Sequence, residues 1–238
     1  MITFLEHTWQ LFNNYQNLYL RGVMNTLWLS LLGTIFGLIL GFGLASLRQI
    51  RIQKQDKSLV KILKQLVRSL TYFYIEFVRG TPMVAQSVFL YYGLRSVIGW
   101  TPMTAGLIIV SFNTAAYMSE IIRSGIQSIS KGQQEAALAL GMTNSQSFLS
   151  IILPQAIRNA FPSIGNEFVV NIKDTSMLNV IMVTELFFQG MSVAGSTYNY
   201  AGSMFIIVIL YFIMTFTISN LLRLVEKRLR QNSQEVNV

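Results

Sequence analysis

Residues 135–154 read E-A-A-L-A-L-G-M-T-N-S-Q-S-F-L-S-I-I-L-P. The stretch is moderately polar, yet it lies between long apolar runs that have the length of membrane spans. It is therefore expected to be a cytoplasmic loop with structure of its own. Ser130 to Gln133 has the S-x-x-Q form of a capping box, which places a helix start just before Glu135. Gly141 suits the C-terminal end of that helix. Thr143 to Gln146 repeats the capping pattern and opens a second short helix towards Pro154.

Working outward, the chain of 238 residues is 52% hydrophobic and only 12% charged, where a soluble domain carries roughly a quarter. Its apolar residues cluster into runs, which separates a membrane protein from a soluble one with a large core. Cysteine is absent and His7 is the single histidine. A disulfide framework and a histidine metal cluster are thereby excluded. The net charge of +8 does not point to nucleic acid, because the basic residues sit at the ends of apolar runs, where topology signals lie.

Five spans follow, at about 23–47, 69–94, 103–122, 157–180 and 201–222. The first is free of charge, and Gly33, Gly37 and Gly41 recur along it every fourth residue. They form a ridge where another helix can approach closely. Residues 1–21 are rich in aromatics and read as an interfacial segment. Leu59, Ile62, Leu63 and Leu66, set among lysines, suggest a basic helix on the inner leaflet that continues into the second span. Gly80, Thr81 and Pro82 should interrupt that span. Residues 181–200 read as a short helix or re-entrant piece plus an outer loop. Fourteen of the eighteen Lys and Arg fall in the 48–68 loop, in the central loop at about 124–157 with its flanks (Arg123, Lys131 and Arg158), and in the 226–238 tail with its approach from Arg223. The N-terminus is then outside and the C-terminus inside.

Charge within a span is costly unless it is paired or faces water. Glu76 and Arg79, three residues apart, are expected to share a face and can pair. Glu167, Asn171 and Asp174 are spaced by four and three and share another face, with Lys173 beside it. An amino-acid zwitterion needs an anionic and a cationic partner. Glu167 and Asp174 can supply the first; Arg79 and Lys173 can supply the second. Arg79, Glu167, Asn171, Lys173 and Asp174 are accordingly the candidate pathway residues. The chain lacks a G-x-x-x-x-G-K-[ST] loop, an H-E-x-x-H and a G-x-S-x-G, so it is read as non-catalytic. Uphill transport would need an ATPase elsewhere, and the central loop is the element able to receive one. Ala136, Ala137 and Gly141 allow close approach, and Glu135 offers an anchoring charge or a cap. Five helices do not readily enclose an aqueous route, which points to a dimer. A passive channel, or an ion-coupled secondary transporter for small polar solutes, is the alternative on residues alone. A membrane-anchored structural or signalling subunit is another.

The pattern E-A-A-x3-G-x9-I-x-L-P resembles the signature loop of membrane-spanning permease subunits of bacterial ATP-binding-cassette importers. Glu135, Ala136, Ala137, Gly141, Ile151, Leu153 and Pro154 fit it without a gap. G-V-M-N-T-L-W-L-S at 22–30, F-V-R-G-T-P-M at 77–83, Y-M-S-E-I-I-R-S-G-I at 117–126 and K-D-T-S-M-L at 173–178 are similar to the polar amino-acid uptake branch. The resemblance implies an all-α type I importer permease fold with five transmembrane helices in the bacterial cytoplasmic membrane. It implies a second permease subunit, identical or paralogous, an ATPase dimer holding ATP and Mg, and an extracellular solute-binding protein. The loop around 131–147 would then be the coupling element seated on the ATPase. No cofactor is expected on this chain. The acidic face favours a neutral or cationic amino acid over a dicarboxylate.

Overall fold

The computed structural model of the protein describes residues 2–50 and 52–235. Met1, Arg51 of the basic loop and residues 236–238 of the tail lie outside them. Every regular element among the described residues is helical. In chain order these are α1 (Ile2–Arg48), α2 (Ser58–Gly80), α3 (Met83–Ile98), α4 (Pro102–Gln127), α5 (Lys131–Ala139), α6 (Asn144–Ser147) and a π-helical turn (Phe148–Ile152). They are followed by α7 (Leu153–Asp174), a 3-10 segment (Thr175–Ile181), α8 (Leu186–Thr197) and α9 (Tyr200–Glu235).

By length and apolarity α1, α4 and α9 can each cross a membrane. A fourth crossing is added if the helical run ending at Ile181 and α8, bent by 52°, are one broken span. Residues 69–94, expected as the second span, fall on α2 and α3, parted at Thr81 and Pro82 where the interruption was expected; neither helix is among those long and apolar enough to cross a membrane, and α2 carries Lys61, Lys64, Arg68, Glu76 and Arg79. The basic segment does run unbroken into that span, as part of α2. The N-terminal segment is likewise no separate element. It is joined to the first span in α1, with a non-helical break only at Tyr15. It packs along α9: Phe4 meets Phe205 edge-on at 5.7 Å, and Tyr19 shares a 2.7 Å hydrogen bond with Ser203. At the other end α9 continues to Glu235, so the tail prolongs the last helix that far.

The glycine ridge on α1 faces α4. A Cβ added at Gly37 would lie 2.6 Å from Thr114, and one at Gly41 would lie 2.6 Å from Met118 and 2.9 Å from the Ala115 carbonyl. The two backbones are therefore as close as glycine permits. Asn171 of α7 pins this pair from the side. Its amide donates to Thr34 Oγ1 at 2.8 Å, and its Oδ1 accepts from Thr114 Oγ1 at 3.1 Å. Buried amide and hydroxyl groups thus satisfy one another between the three helices.

The bend before α8 is held by Glu185, which is fully buried. Its carboxylate caps α8 by accepting from the backbone N–H groups of Phe187 and Phe188 at 2.8 and 2.7 Å, and it accepts from the Tyr211 hydroxyl at 2.7 Å. The Leu186 N–H is taken by Thr26 Oγ1 at 3.1 Å. Donors left over at the helix start are satisfied by side chains of α1 and by the cap itself.

Gly37→Leu should lower the unfolding free energy by about 1–3 kcal/mol through overpacking. Gly43, also on α1, has open space around its Cβ position, and Gly43→Leu should stay within about 0.5 kcal/mol of the parent. Thermal unfolding of the two purified variants in one detergent checks the difference.

Candidate functional site

The central loop is a helical hairpin between α4 and α7. α5 starts where the sequence pattern placed it, with Ser130 Oγ accepting from Gly132 N–H at 3.3 Å. The reciprocal box expected there is absent, because Gln133 N–H goes to the Ser130 carbonyl instead. The box does form at α6. Gln146 N–H donates to Thr143 Oγ1, and Thr143 N–H donates to Gln146 Oε1 at 2.9 Å. Gly141 ends α5 with φ +84°. Met142 N–H bonds the Ala137 carbonyl and Gly141 N–H bonds the Leu138 carbonyl, at 3.1 and 3.0 Å. That pair is the Schellman arrangement, which needs a residue at ease in the left-handed region.

Of the four residues expected to couple, Glu135, Ala136 and Gly141 are exposed and Ala137 is buried. A Cβ on Gly141 would meet nothing within this chain. The sequence reading missed Leu140, which is 86% exposed between Ala139 and Gly141. Leu138 and Leu149 of the same loop are exposed as well, at 39% and 60%, so several apolar side chains stand open there. The signal was present in the run A-L-A-L-G, where the helix ends before the last leucine can turn inward.

The hairpin is rooted on a tight crossing. A Cβ on Gly125 of α4 would come 2.8 Å from the Ala156 carbonyl and 2.9 Å from Ala160 Cβ of α7. Asn159 also donates to Ser128 Oγ at 2.8 Å. Pro154 has no N–H, and the join to α7 passes through the π-helical turn, where Leu153 N–H reaches the Phe148 carbonyl.

Above this crossing lies a cavity of about 450 Å³, lined by Arg79, Tyr117, Glu120, Ser163, Asn166 and Glu167 among others. The Arg79 guanidinium carbon stands 5.7 Å from the Tyr117 ring centroid, within cation–π range. A second cavity of about 1040 Å³ shares Glu120, Ile121, Pro162 and Ser163 with the first and reaches Gln133 of α5. Through those shared residues the two make one groove from Arg79 and Glu167 to the loop. At its waist Glu120 accepts from Arg48 and from Arg123, the latter at 2.6 Å.

The structure thus brings Arg79 and Glu167 to one cavity, and Asp174 stays near enough to Glu167 for the two carboxyl groups to feel one another. Asn171 is committed to helix packing with Thr34 and Thr114. Asp174 is half-buried, Lys173 is exposed, and neither lines these cavities. Among the described residues Glu76 and Arg79 form no ion pair, which corrects the pairing expected from their spacing. Tyr117, Ser163 and Asn166 were not singled out. Ser163 lies one turn before Glu167 and so was legible on the same face.

The profile of the family described as binding-protein-dependent transport system inner membrane component matches residues 33–231. A putative glutamine transport system permease protein of Rickettsia felis is 36% identical over 214 residues, covering 89% of this chain and 93% of the relative. An arginine transport system permease protein of Bacillus subtilis is 34% identical over 218 residues, covering 90% and 93%. The crystal structure of an amino acid ABC transporter with histidines superposes with a TM-score of 0.81 at 36% identity. It covers 90% of this chain and 95% of that one.

Gly141→Ala should loosen the end of α5 by about 1 kcal/mol, because an L side chain at positive φ is strained. Hydrogen exchange of the amides at 141 and 142 should speed up about fivefold, with α4 and α7 unchanged.

Proposed function

The chain belongs to the family of binding-protein-dependent transport system inner membrane components, and from that premise we propose how it works as the permease of an ATP-driven amino-acid importer. It is a non-catalytic subunit of an ABC transport system, all-helical, with apolar helices able to span a membrane. Hydrolysis of ATP falls to a partner subunit. Family membership sets aside the free-standing channel and the ion-coupled transporter.

The substrate proposed is a neutral or cationic amino acid. The curated relatives named above are glutamine and arginine transport permeases. The cavity offers a cation at Arg79 and a carboxylate at Glu167, the pair that a zwitterion requires. Arg79 would take the carboxylate and Glu167 the ammonium.

The observation that carries the coupling mechanism is the crossing at Gly125, Ala156 and Ala160. It ties the loop to α4 and α7, and both helices line the groove. Leu140, Glu135, Ala136 and Gly141 would seat on the ATPase. A push on the loop would then move both walls of the groove and alternate access to the Arg79–Glu167 cavity. Arg79, Asn166 and Lys173 are exposed on one chain, and such groups are costly against lipid. A second permease subunit, a copy or a paralogue, would cover them. In this reading α2 and α3 together make a fifth crossing, with the N-terminus outside and the 226–238 segment in the cytoplasm of a bacterial cell. An extracellular solute-binding protein would deliver the substrate.

Co-expression with the neighbouring ATPase should yield a complex that survives gentle solubilisation. Gly141→Glu and Leu140→Asp should each remove the ATPase while leaving the helices inserted. An ATPase that still co-purifies with both variants would place the docking surface elsewhere. Arg79→Met and Glu167→Gln should retain the ATPase and lower uptake of radiolabelled glutamine or arginine about tenfold or more. Stimulation of ATP hydrolysis by glutamate or aspartate alone would overturn the substrate assignment.

A further inference from the structure

The interruption between α2 and α3 is stitched by side chains. Pro82 has no N–H, so the Val78 carbonyl of α2 loses the donor that residue 82 would supply four residues on. Gln86, one turn into α3, replaces it. Its Nε2 donates to the Val78 carbonyl at 2.9 Å, and lies 3.0 Å from the Thr81 carbonyl and 2.7 Å from Thr81 Oγ1. The Thr81 hydroxyl in turn donates to the Phe77 carbonyl at 2.8 Å. The open end of α2 is thereby closed by the first turn of the next helix.

A third residue orients that amide. Asn113 of α4, buried, donates from Nδ2 to Gln86 Oε1 at 3.1 Å. With its oxygen engaged, the Gln86 amide has to present its nitrogen to Val78. Tyr117 lies one turn further along α4 on the same face, and Arg79 sits over its ring. Two successive turns of α4 therefore grip the end of α2, one through Gln86 and one through Arg79.

We propose that Gln86 and Asn113 are positioning residues that hold the last turn of α2 so that the Arg79 guanidinium faces the cavity it shares with Glu167. Removing either amide frees the Val78 carbonyl, frays the turn and lets Arg79 leave Tyr117. The consequence for transport rests on the pathway reading of Arg79 above; the positioning itself does not.

Two measurements separate these. The chain has no cysteine, and Val78 in the last turn of α2 is buried. Val78→Cys in the assembled transporter, reconstituted in vesicles, therefore reports opening of that turn through its rate of reaction with a membrane-impermeant thiol reagent. Gln86→Met and Asn113→Leu should each raise that rate about tenfold, and the two together should add little more. Unchanged rates in both overturn the proposal. The second measurement is uptake turnover at saturating loaded binding protein. Gln86→Met should lower it about tenfold in the parent and less than about twofold in Arg79→Met, with half-saturation by the binding protein unmoved. An equal loss in both backgrounds overturns the link to Arg79 and leaves a merely structural role. If Arg79→Met leaves uptake intact while the thiol rates rise, the latch stands and the pathway reading fails.

Discussion

The contact between α1 and α4 is the constraint on which the rest depends. Lipid tails are as apolar as leucine, so helices in a membrane gain little by hiding leucine from their surroundings. Close backbone approach and buried hydrogen bonds have to hold them instead. Gly37 and Gly41 let α1 settle onto Thr114 and Met118. Thr34 and Thr114 then present hydroxyls to one buried amide, Asn171 of α7. Three helices are fixed by that node, and α4 becomes the post on which the others are mounted. Asn113 and Tyr117, adjoining Thr114 and one turn from Asn113 on that post, grip α2. Gly125 at its end receives α7.

Mounting both walls of the groove on one post has a mechanical result. The loop carrying Leu140 and Gly141 leaves α4 and enters α7 where the two are pressed together at Gly125 and Ala160. Force applied to the loop has no slack to absorb it, because packed interfaces shift between discrete arrangements and do not stretch. Glu120, held by Arg48 and Arg123, adds α1 to the same assembly at the waist of the groove. Motion of the loop is therefore expected to reach the Arg79–Glu167 cavity through helices and not through flexible linkers.

At both interruptions side chains take up backbone groups that the break sets free. Gln86 substitutes for the missing donor of Pro82, and Glu185 accepts from the free N–H groups at the start of α8. Irregular backbone at membrane depth is tolerated only where protein or a water-filled cavity satisfies it. One interruption borders the candidate cavity through Arg79, and the other is sealed from it by burial. The first is thus suited to function and the second to architecture, though their sequences look equally broken.

Much of this was legible in the residues. The helical loop, its two starts, the glycine at the end of α5, the α1 ridge and the break at Pro82 all depend on neighbours within a turn or two, and local pattern specifies them. The signature at 135–154 also carried the family. Convergence across the chain was not legible. Glu167, Asn171 and Asp174 share a helical face by spacing, yet only Glu167 reaches the cavity, because the helix is buried against α1 and α4 at Asn171 and turns into a 3-10 segment beyond Asp174. Glu76 and Arg79 share a turn, yet Arg79 stands over the Tyr117 ring and forms no ion pair with Glu76 among the described residues. Sequence determined where the loop helices begin and end and where the chain breaks at Pro82, since those are contests between adjacent donors and acceptors; the joined N-terminal helix and the long α9 were not legible that way. Only the tertiary packing decided which polar groups meet, since that depends on how α1, α2, α4 and α7 are rotated against one another.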